Sequence, residues 1–343
     1  MRLLFGIQCT GNGHIGRSEQ LVRMLRKHAE VDVLLSGNEC ELLLQEPAAY
    51  QFRGIGFHFG NRGGVNLIKT ARMLRPLRFL RDLRQVHIAE YDAVVSDFEP
   101  MSLLLAKKIG IPSIGISNQY AYQQLKKPRS VDFMGKLVLR HYAPAKFQWS
   151  YFYEPLGQHT YHAHIPEALA RGTVSDEGHV VVYLPAYHHQ YLGRMLSLFP
   201  FQQWKVFGKR ITHPYSEGNV SYHPIDRNAF NQAMLSASGI VCAAGFGTTA
   251  EALHLGKKML IVPMKAQLEQ KYNAHYLASK GVEVLPSFDL SQSRALGHWL
   301  KTGRTVHMPQ PDESNRIASD IMDLLNSRSG QWSSSIILAN ETK

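Results

Sequence analysis

Residues 242–274 read CAAGFGTTAEALHLGKKMLIVPMKAQLEQKYNA, and the fold is decided in this stretch. An apolar run, GIVCAAG at 239–245, leads into Gly-x-Gly-Thr; a helix is predicted from about Thr248, Gly256 ends it, and LIVP at 260–263 returns as a strand. Strand, glycine turn, helix and strand make the repeating unit of a parallel sheet. Glycine lets a ligand approach the backbone with no Cβ in the way. The first N–H groups of a helix lack intrahelical partners and carry partial positive charge. Together they form an anion site that suits a pyrophosphate. Glu251, about one turn in, can accept hydrogen bonds from a ribose diol. The loop after the returning strand carries Gln267, Glu269 and Gln270, at the edge where open α/β sheets bind ligands. An acid beside an amide supplies the acceptors and donors that sugar hydroxyls require. Two glycines alone would be explained by a tight turn; the whole spacing is far more specific.

The same rhythm extends both ways. Strands are predicted at 3–7, 31–37, 93–97 and 111–117, with helices at 17–29 and 100–110. The second half repeats the pattern, with strands at 179–185, 205–208, 219–225, 239–245 and 257–263. This predicts an α/β protein of two doubly wound, Rossmann-like domains facing across a cleft. The boundary is expected between Ala163 and Gly178, a stretch broken by Pro, Gly, Ser and acidic residues. The expected division is 1–165 as the first domain and 175–310 as the second. A helix at 311–326 would pack back toward the first domain, and 327–343 would form a flexible tail.

The chain has 343 residues, 44% of them hydrophobic, and a net charge of +11 with a pI near 9.5. No apolar run reaches the ~20 residues of a spanning helix. The apolar start, Leu3 to Ile7, reads as a buried strand, which predicts a cytoplasmic protein. The basic balance points to an anionic partner: nucleic acid, a membrane surface or phosphorylated substrates. Cys9, Cys40 and Cys242 match no metal or Cys-x-x-Cys spacing, so no disulfide framework is expected.

A second constellation follows the first strand: Thr10-Gly11-Asn12-Gly13-His14-Ile15-Gly16-Arg17. Gly11 and Gly13 free space beside the sheet edge and place His14 in the cleft. A histidine suits a general base for an acceptor hydroxyl. It needs a partner to hold its tautomer, and Asp97 ends a strand at the same edge. Arg17 could reach a phosphate or face solvent. His188-His189 could cap a helix or face the cleft. His159, His162 and His164 are spaced like metal ligands, but no carboxylate or cysteine completes a site nearby.

At these residues the chain resembles the GT-B nucleotide-sugar glycosyltransferases. Its donor segment is similar to those of the UDP-glucuronosyltransferases and of the peptidoglycan N-acetylglucosaminyltransferase family. The resemblance implies that Gly245, Gly247 and Thr248 meet the diphosphate, Glu251 the ribose, and Glu269 with Gln270 the sugar. It puts Ile225 where the backbone reads the uracil edge, and makes His14 the base and Asp97 its orienting partner. It implies sugar transfer from a nucleotide-diphosphate donor, UDP by preference, to a hydroxyl acceptor, with inversion. No resident cofactor and no metal are implied. Two departures stand out: Ala243 replaces a phosphate-binding histidine of many members, and PAYHHQ at 185–190 replaces a Gly-Gly-Ser type turn. Gly-x-Gly-His-x-x-Arg also resembles the first loop of UDP-sugar hydrolases, in which water takes the acceptor's place. The basic, aromatic stretch 120–153 reads instead as an extended acceptor surface, which favours a transferase. A non-catalytic basic binding protein is the third reading, but no nucleic-acid motif is present.

Between Asn66 and Glu90, Lys69, Arg72, Arg75, Arg78, Arg81 and Arg84 recur every third residue beside Leu74, Leu77, Leu80 and Leu83. This predicts a helix, or two joined at Pro76, with one apolar and one basic side that lies on an anionic membrane next to a lipid-linked acceptor. The inner face of the membrane would then be its location. The plain alternative packs the leucines on the sheet and leaves the arginines in solvent.

Overall fold

The computed structural model describes residues 1–9, 13–37, 47–54, 76–125, 141–265 and 267–327. RLLFGIQ forms β1 (Arg2–Gln8), buried from Leu3 onward, as expected of a strand covered on both faces. Then come α1 (Gly13–Leu25), β2 (Glu30–Ser36), β3 (Tyr50–Phe52), α2 (Pro76–Gln85), β4 (Ala93–Asp97) and α3 (Pro100–Ile109). β5 (Ser113–Ile116), α4 (Asn118–Ala121), β6 (Phe147–Phe152) and β7 (Thr160–His162) complete a parallel sheet of order β3-β2-β1-β4-β5-β6-β7. The strand order reverses between β1 and β4. Their carboxyl ends therefore flank a topological switch point, where ligands bind in such sheets.

A short helix, α5 (Glu167–Ala170), joins the halves. The second half contains β8 (His179–Tyr183), α6 (His189–Leu196), β9 (Gln203–Phe207), β10 (Tyr215–Glu217), β11 (Val220–His223) and α7 (Arg227–Leu235). β12 (Gly239–Cys242), α8 (Phe246–His254), β13 (Lys258–Ile261), α9 (Leu268–Ser279) and β14 (Glu283–Val284) follow, with α10 (Ser293–Thr302) and α11 (Ser314–Ser327) last. The sheet order is β10-β11-β9-β8-β12-β13-β14, with only β10 antiparallel to its neighbour. Here the reversal lies between β8 and β12, so the glycine loop after β12 opens at the second switch point.

The halves meet along a buried aromatic seam. Tyr122 stacks on Tyr272 at 5.3 Å, Tyr153 on Tyr276 at 5.4 Å, and Phe152 on Phe246 at 6.3 Å. Tyr153 Oη lies 2.7 Å from Thr249 Oγ1 across the seam. α11 packs on α1 and is tied to β7, where the Tyr161 hydroxyl donates to Asp320 and the His162 backbone N–H to Glu313.

The structure corrects four expectations. The aromatic stretch 120–153 is not an open acceptor surface where it is described: Trp149, Tyr151, Phe152 and Tyr153 lie in or just after β6 and are buried, because β6 extends the sheet and feeds the seam. The first helix begins at Gly13, not Arg17, since the glycine turn itself winds into the helix. Cys9 is disulfide-bonded, because spacing along the chain does not report which strand ends meet; Cys242 is a free buried thiol, and Cys40 lies outside the described residues. The leucines near α2 do not share one side. Leu83 packs on the core while Leu80 is 52% exposed. Arg78, Arg81 and Arg84 are exposed; Lys69, Arg72, Arg75 and Leu74 lie outside the described residues, as does the side chain of Leu77. Among the described residues no helix is long and apolar enough to cross a membrane.

Candidate active site

The first switch point is densely bonded. Asp97 ends β4, 1% exposed, and faces α1. The next residue, Phe98, takes a φ of 56°, a left-handed conformation costly for a bulky side chain. The chain turns sharply there, and Glu99 caps α3 instead, accepting from Met101 N and Ser102 N at 2.7 Å each. Gly6 makes that arrangement possible, because a Cβ there would lie 2.9 Å from Glu99 Oε2. Asp97 is left with five polar neighbours from other elements. Arg17 Nε and Nη2 donate at 2.6 Å each and Ser18 Oγ at 3.0 Å, and Ser117 Oγ lies 2.8 Å away. His14 Nδ1 lies 3.0 Å away. Burial acts to raise the Asp97 carboxyl, but Arg17 and then His14 outweigh it and hold the group well below the usual carboxylate range. Burial likewise opposes the charge of Arg17, and Asp97 more than offsets it.

Arg17 was open in the sequence between a phosphate contact and a solvated side chain; it is neither. The signal that could have found it is its spacing of three from His14, which puts both on one helix face. Arg17 Nη2 also lies 2.7 Å from His14 Nδ1. A guanidinium only donates. His14 Nδ1 thus either accepts from Arg17, leaving Nε2 protonated, or donates to Asp97, leaving Nε2 free to accept a proton. General-base chemistry needs the second tautomer.

The glycine loop after β12 is open by contrast. α8 begins at Phe246 with Gly245 as its N-cap and no side-chain cap. Gly245 has φ −70°, which any residue adopts, and a Cβ built on Gly245 or Gly247 meets no protein atom within 4 Å. Neither strain nor packing against protein demands glycine here; the space over both is free. Thr249 Oγ1 is spent on the carbonyls of Gly245 and Phe246, so Thr248 is the hydroxyl left at the mouth. Burial pushes the Glu251 carboxyl up to about 7, with Arg227 pulling the other way. Arg227, the first residue of α7, lays its guanidinium against Gly16 of α1, where a Cβ would lie 2.7 Å from Nη2. Ile225 lies just after β11 on the same edge. Gln270 is turned inward: its Oε1 accepts from Met264 N at 2.9 Å, and its Nε2 donates to Gln267 Oε1 at 2.6 Å. Glu269 instead faces the other half, accepting from Gln119 Nε2 at 3.2 Å.

A buried hydrogen-bond chain joins the two crevices. Arg17 Nη1 donates to Asn118 Oδ1 at 2.8 Å, and Asn118 Nδ2 to the Tyr122 hydroxyl at 2.9 Å. That hydroxyl donates to Asn273 Oδ1 at 3.1 Å, and Asn273 Nδ2 donates to the carbonyl of Ala244, just before the glycine loop, at 2.9 Å. Each proton is used once, so the whole chain is satisfied. Sequence reasoning gave no role to Asn118, Tyr122 or Asn273: the first two belong to no motif, the third lies near the end of the quoted 242–274 segment, and only the fold joins them.

The remaining histidines divide among separate roles. His159 stacks on Trp149 at 4.6 Å, His162 pairs with Glu313, and His188 caps α6. Burial pushes His164 down to about 4 against the pull of Asp312, and Arg227, Arg17 and Arg23 lower it further. Among the described residues no group of three or more His, Cys, Asp or Glu is arranged to hold a metal. Gly11 lies outside the described residues; Gly13 opens α1.

The profile described as Glycosyl transferase family 1 matches residues 1–302. No curated protein matches the chain in sequence. Among solved structures, MurG of Acinetobacter baumannii superposes with a TM-score of 0.61 at 16% identity, over 94% of this chain and 100% of that one. A UDP-glucosyltransferase from Polygonum tinctorium gives 0.59 at 14% identity, over 96% of this chain and 94% of that one. The glycosyltransferase SsfS6 of Streptomyces sp. SF2575, solved with thymidine diphosphate, gives 0.57 at 17% identity, over 94% and 99%. At these identities the likeness shows the GT-B fold; it is the profile, matching most of the chain, that shows the family. With two parallel sheets, each opening its switch point toward the other half, the chain belongs to glycosyl transferase family 1 and is a glycosyltransferase.

Proposed function

We propose that the enzyme transfers a sugar from a uridine diphosphate donor to a hydroxyl acceptor, with inversion and without a metal. The observation that carries this reading is the pairing of an open glycine-and-helix anion site with a buried His14–Asp97 pair, joined by one hydrogen-bond chain. With Nδ1–H directed at Asp97, His14 Nε2 takes the proton of the acceptor hydroxyl. The acceptor oxygen attacks the anomeric carbon as the bond from that carbon to the diphosphate oxygen breaks. The free N–H groups at the start of α8 stabilise the leaving charge, aided by Thr248. Glu251 receives the ribose diol, Ile225 the base, and Glu269 the sugar. Gln270 acts on the sugar through the loop it holds. Arg227 is the cation that stands in for the histidine replaced by Ala243. The likeness to the Polygonum UDP-glucosyltransferase supports UDP, and the ligand of SsfS6 makes thymidine diphosphate the competitor to test.

The test is a thermal-shift panel of UDP, thymidine diphosphate and their sugar conjugates, with and without EDTA. A ligand at a hundred times its Kd stabilises by about 2.7 kcal/mol. UDP and one UDP-sugar should raise Tm, unchanged by EDTA; no shift with any nucleotide would overturn the proposal. Free sugar released from the donor without any acceptor would mark a hydrolase.

We further infer that α2 rests on an anionic membrane beside a lipid-linked acceptor. Support comes from its outer side, where exposed Leu80 stands beside Arg84 and Arg81, with exposed Arg78 further round the helix, in the half that holds the base. An apolar residue beside cations suits the headgroup layer.

A further inference from the structure

Glu269 is the one acid of the donor loop that makes contact with the opposite half, and the residue it meets belongs to the base's own network. Gln119 is the second residue of α4, 9% exposed. Its Nε2 donates to Glu269 Oε2 at 3.2 Å, while its Oε1 accepts from the Ser117 hydroxyl. Ser117 Oγ also lies 2.8 Å from Asp97 Oδ1 and receives Arg17 Nη2 at 3.0 Å. The orientation of the Gln119 amide is fixed by these neighbours. Flipped, its oxygen would face a carboxylate oxygen, a contact with no proton to share.

We propose that Gln119 is a specificity-determining positioning residue, which holds the Glu269 carboxylate so that both halves together read the donor sugar. This rests on Glu269 meeting the sugar, as read above. One carboxylate oxygen is engaged by Gln119, and the other remains for a pair of sugar hydroxyls. The sugar is then recognised against a carboxylate whose rotamer is set from the acceptor half. A neighbouring carboxylate would hold the same space and repel Glu269. Removal of the amide frees the carboxylate to rotate, and epimeric hydroxyls are no longer distinguished.

The anchoring of the seam by Asn118, Tyr122 and Asn273 keeps this contact separable from folding. Those side chains are 0–1% exposed and bond one another without Gln119. Gln119→Leu is therefore expected to spare both stability and the nucleotide end of the site.

The experiment is calorimetry of UDP, UDP-glucose and its C4 epimer UDP-galactose with wild type, Gln119→Leu, Gln119→Glu, Glu269→Gln and the Gln119→Leu/Glu269→Gln double variant. The proposal expects unchanged UDP affinity in all variants and unchanged Tm in all that lack Gln119→Glu. The preferred UDP-sugar should bind about tenfold more weakly in Gln119→Leu, the worth of one charge-assisted hydrogen bond. Gln119→Glu should lose more, and the ratio between the epimers should fall toward one. The double variant should lose no more than Glu269→Gln alone, as residues acting through one contact do. Gln119→Leu that keeps wild-type affinity and epimer ratio, while Glu269→Gln loses both, overturns the role of Gln119 and leaves the sugar-reading role of Glu269 standing. If Glu269→Gln also binds both sugars as wild type does, the sugar reading itself is wrong.

Discussion

The two switch points differ in how far they are complete. At the end of β4, Asp97 has five polar atoms around it and both charges of the ion pair are buried. At the end of β12, the glycines face free space and the Glu251 carboxyl has been pushed up to about 7. The first site is built before any ligand arrives, while the second is a set of groups that a ligand must complete. The difference suits a division of labour. A base must stand in one orientation at the moment of reaction, and preorganised dipoles cost nothing to reorganise then. A donor site must take in and release a charged nucleotide, so its donors stay unpaired between turnovers.

The comparison can be broken first at its built side. His14→Ala should reduce turnover by about 10²–10⁴, the usual worth of a general base, with UDP affinity unchanged. Asp97→Asn should cost less turnover, since it orients rather than reacts; wild-type turnover in His14→Ala would remove the base. Arg17→Met leaves Asp97 as a buried carboxylate without its cation. Breaking such a pair costs about 3–5 kcal/mol, and chemical denaturation should record a loss of that size. Arg17→Met with Asp97→Asn should recover much of it, because the stranded charge is gone. The smallest effects belong to the face of α2. Each single Arg→Gln at Arg78, Arg81 or Arg84 should weaken binding to anionic liposomes by about 1 kcal/mol, roughly fivefold, read by sedimentation at low salt. Wild-type protein that ignores such liposomes would end the membrane proposal.

Much of this was legible in the sequence, and for a physical reason. β1, β4 and β12 are continuous apolar runs, because both faces of a central parallel strand are covered. Gly245, Gly247 and Glu251 stood out because they follow an apolar strand within one βα turn, and that turn is where the structure has them. His14 and Asp97 could be paired because both follow strands at one sheet edge. The chain through Asn118, Tyr122 and Asn273 was not legible: the bonds from Arg17 to Asn118, from Tyr122 to Asn273 and from Asn273 to Ala244 span 101, 151 and 29 residues. The phase of the helix at Leu80 and Leu83 also escaped, because a spacing of three drifts around a helix and leaves open which leucine faces inward. Trp149 and Tyr151 were given to a surface because aromatic content was read ahead of the strand propensity that FQWSYF also carries.

The central claim is that the nucleotide is held by the open site of the second half, independently of the base. Calorimetry of UDP from pH 5.5 to 8 with wild type, His14→Ala and Glu251→Gln tests it most directly. In the free enzyme Glu251 keeps its proton up to about pH 7. A ribose diol donates to the ionised form, so binding releases that proton and affinity falls as pH drops below about 7. Wild type and His14→Ala should therefore bind UDP alike, each about tenfold more weakly per pH unit below 7 and level above it. Glu251→Gln should bind more weakly above pH 7 and show no such slope. Loss of UDP binding in His14→Ala, or wild-type affinity and slope in Glu251→Gln, would contradict the account.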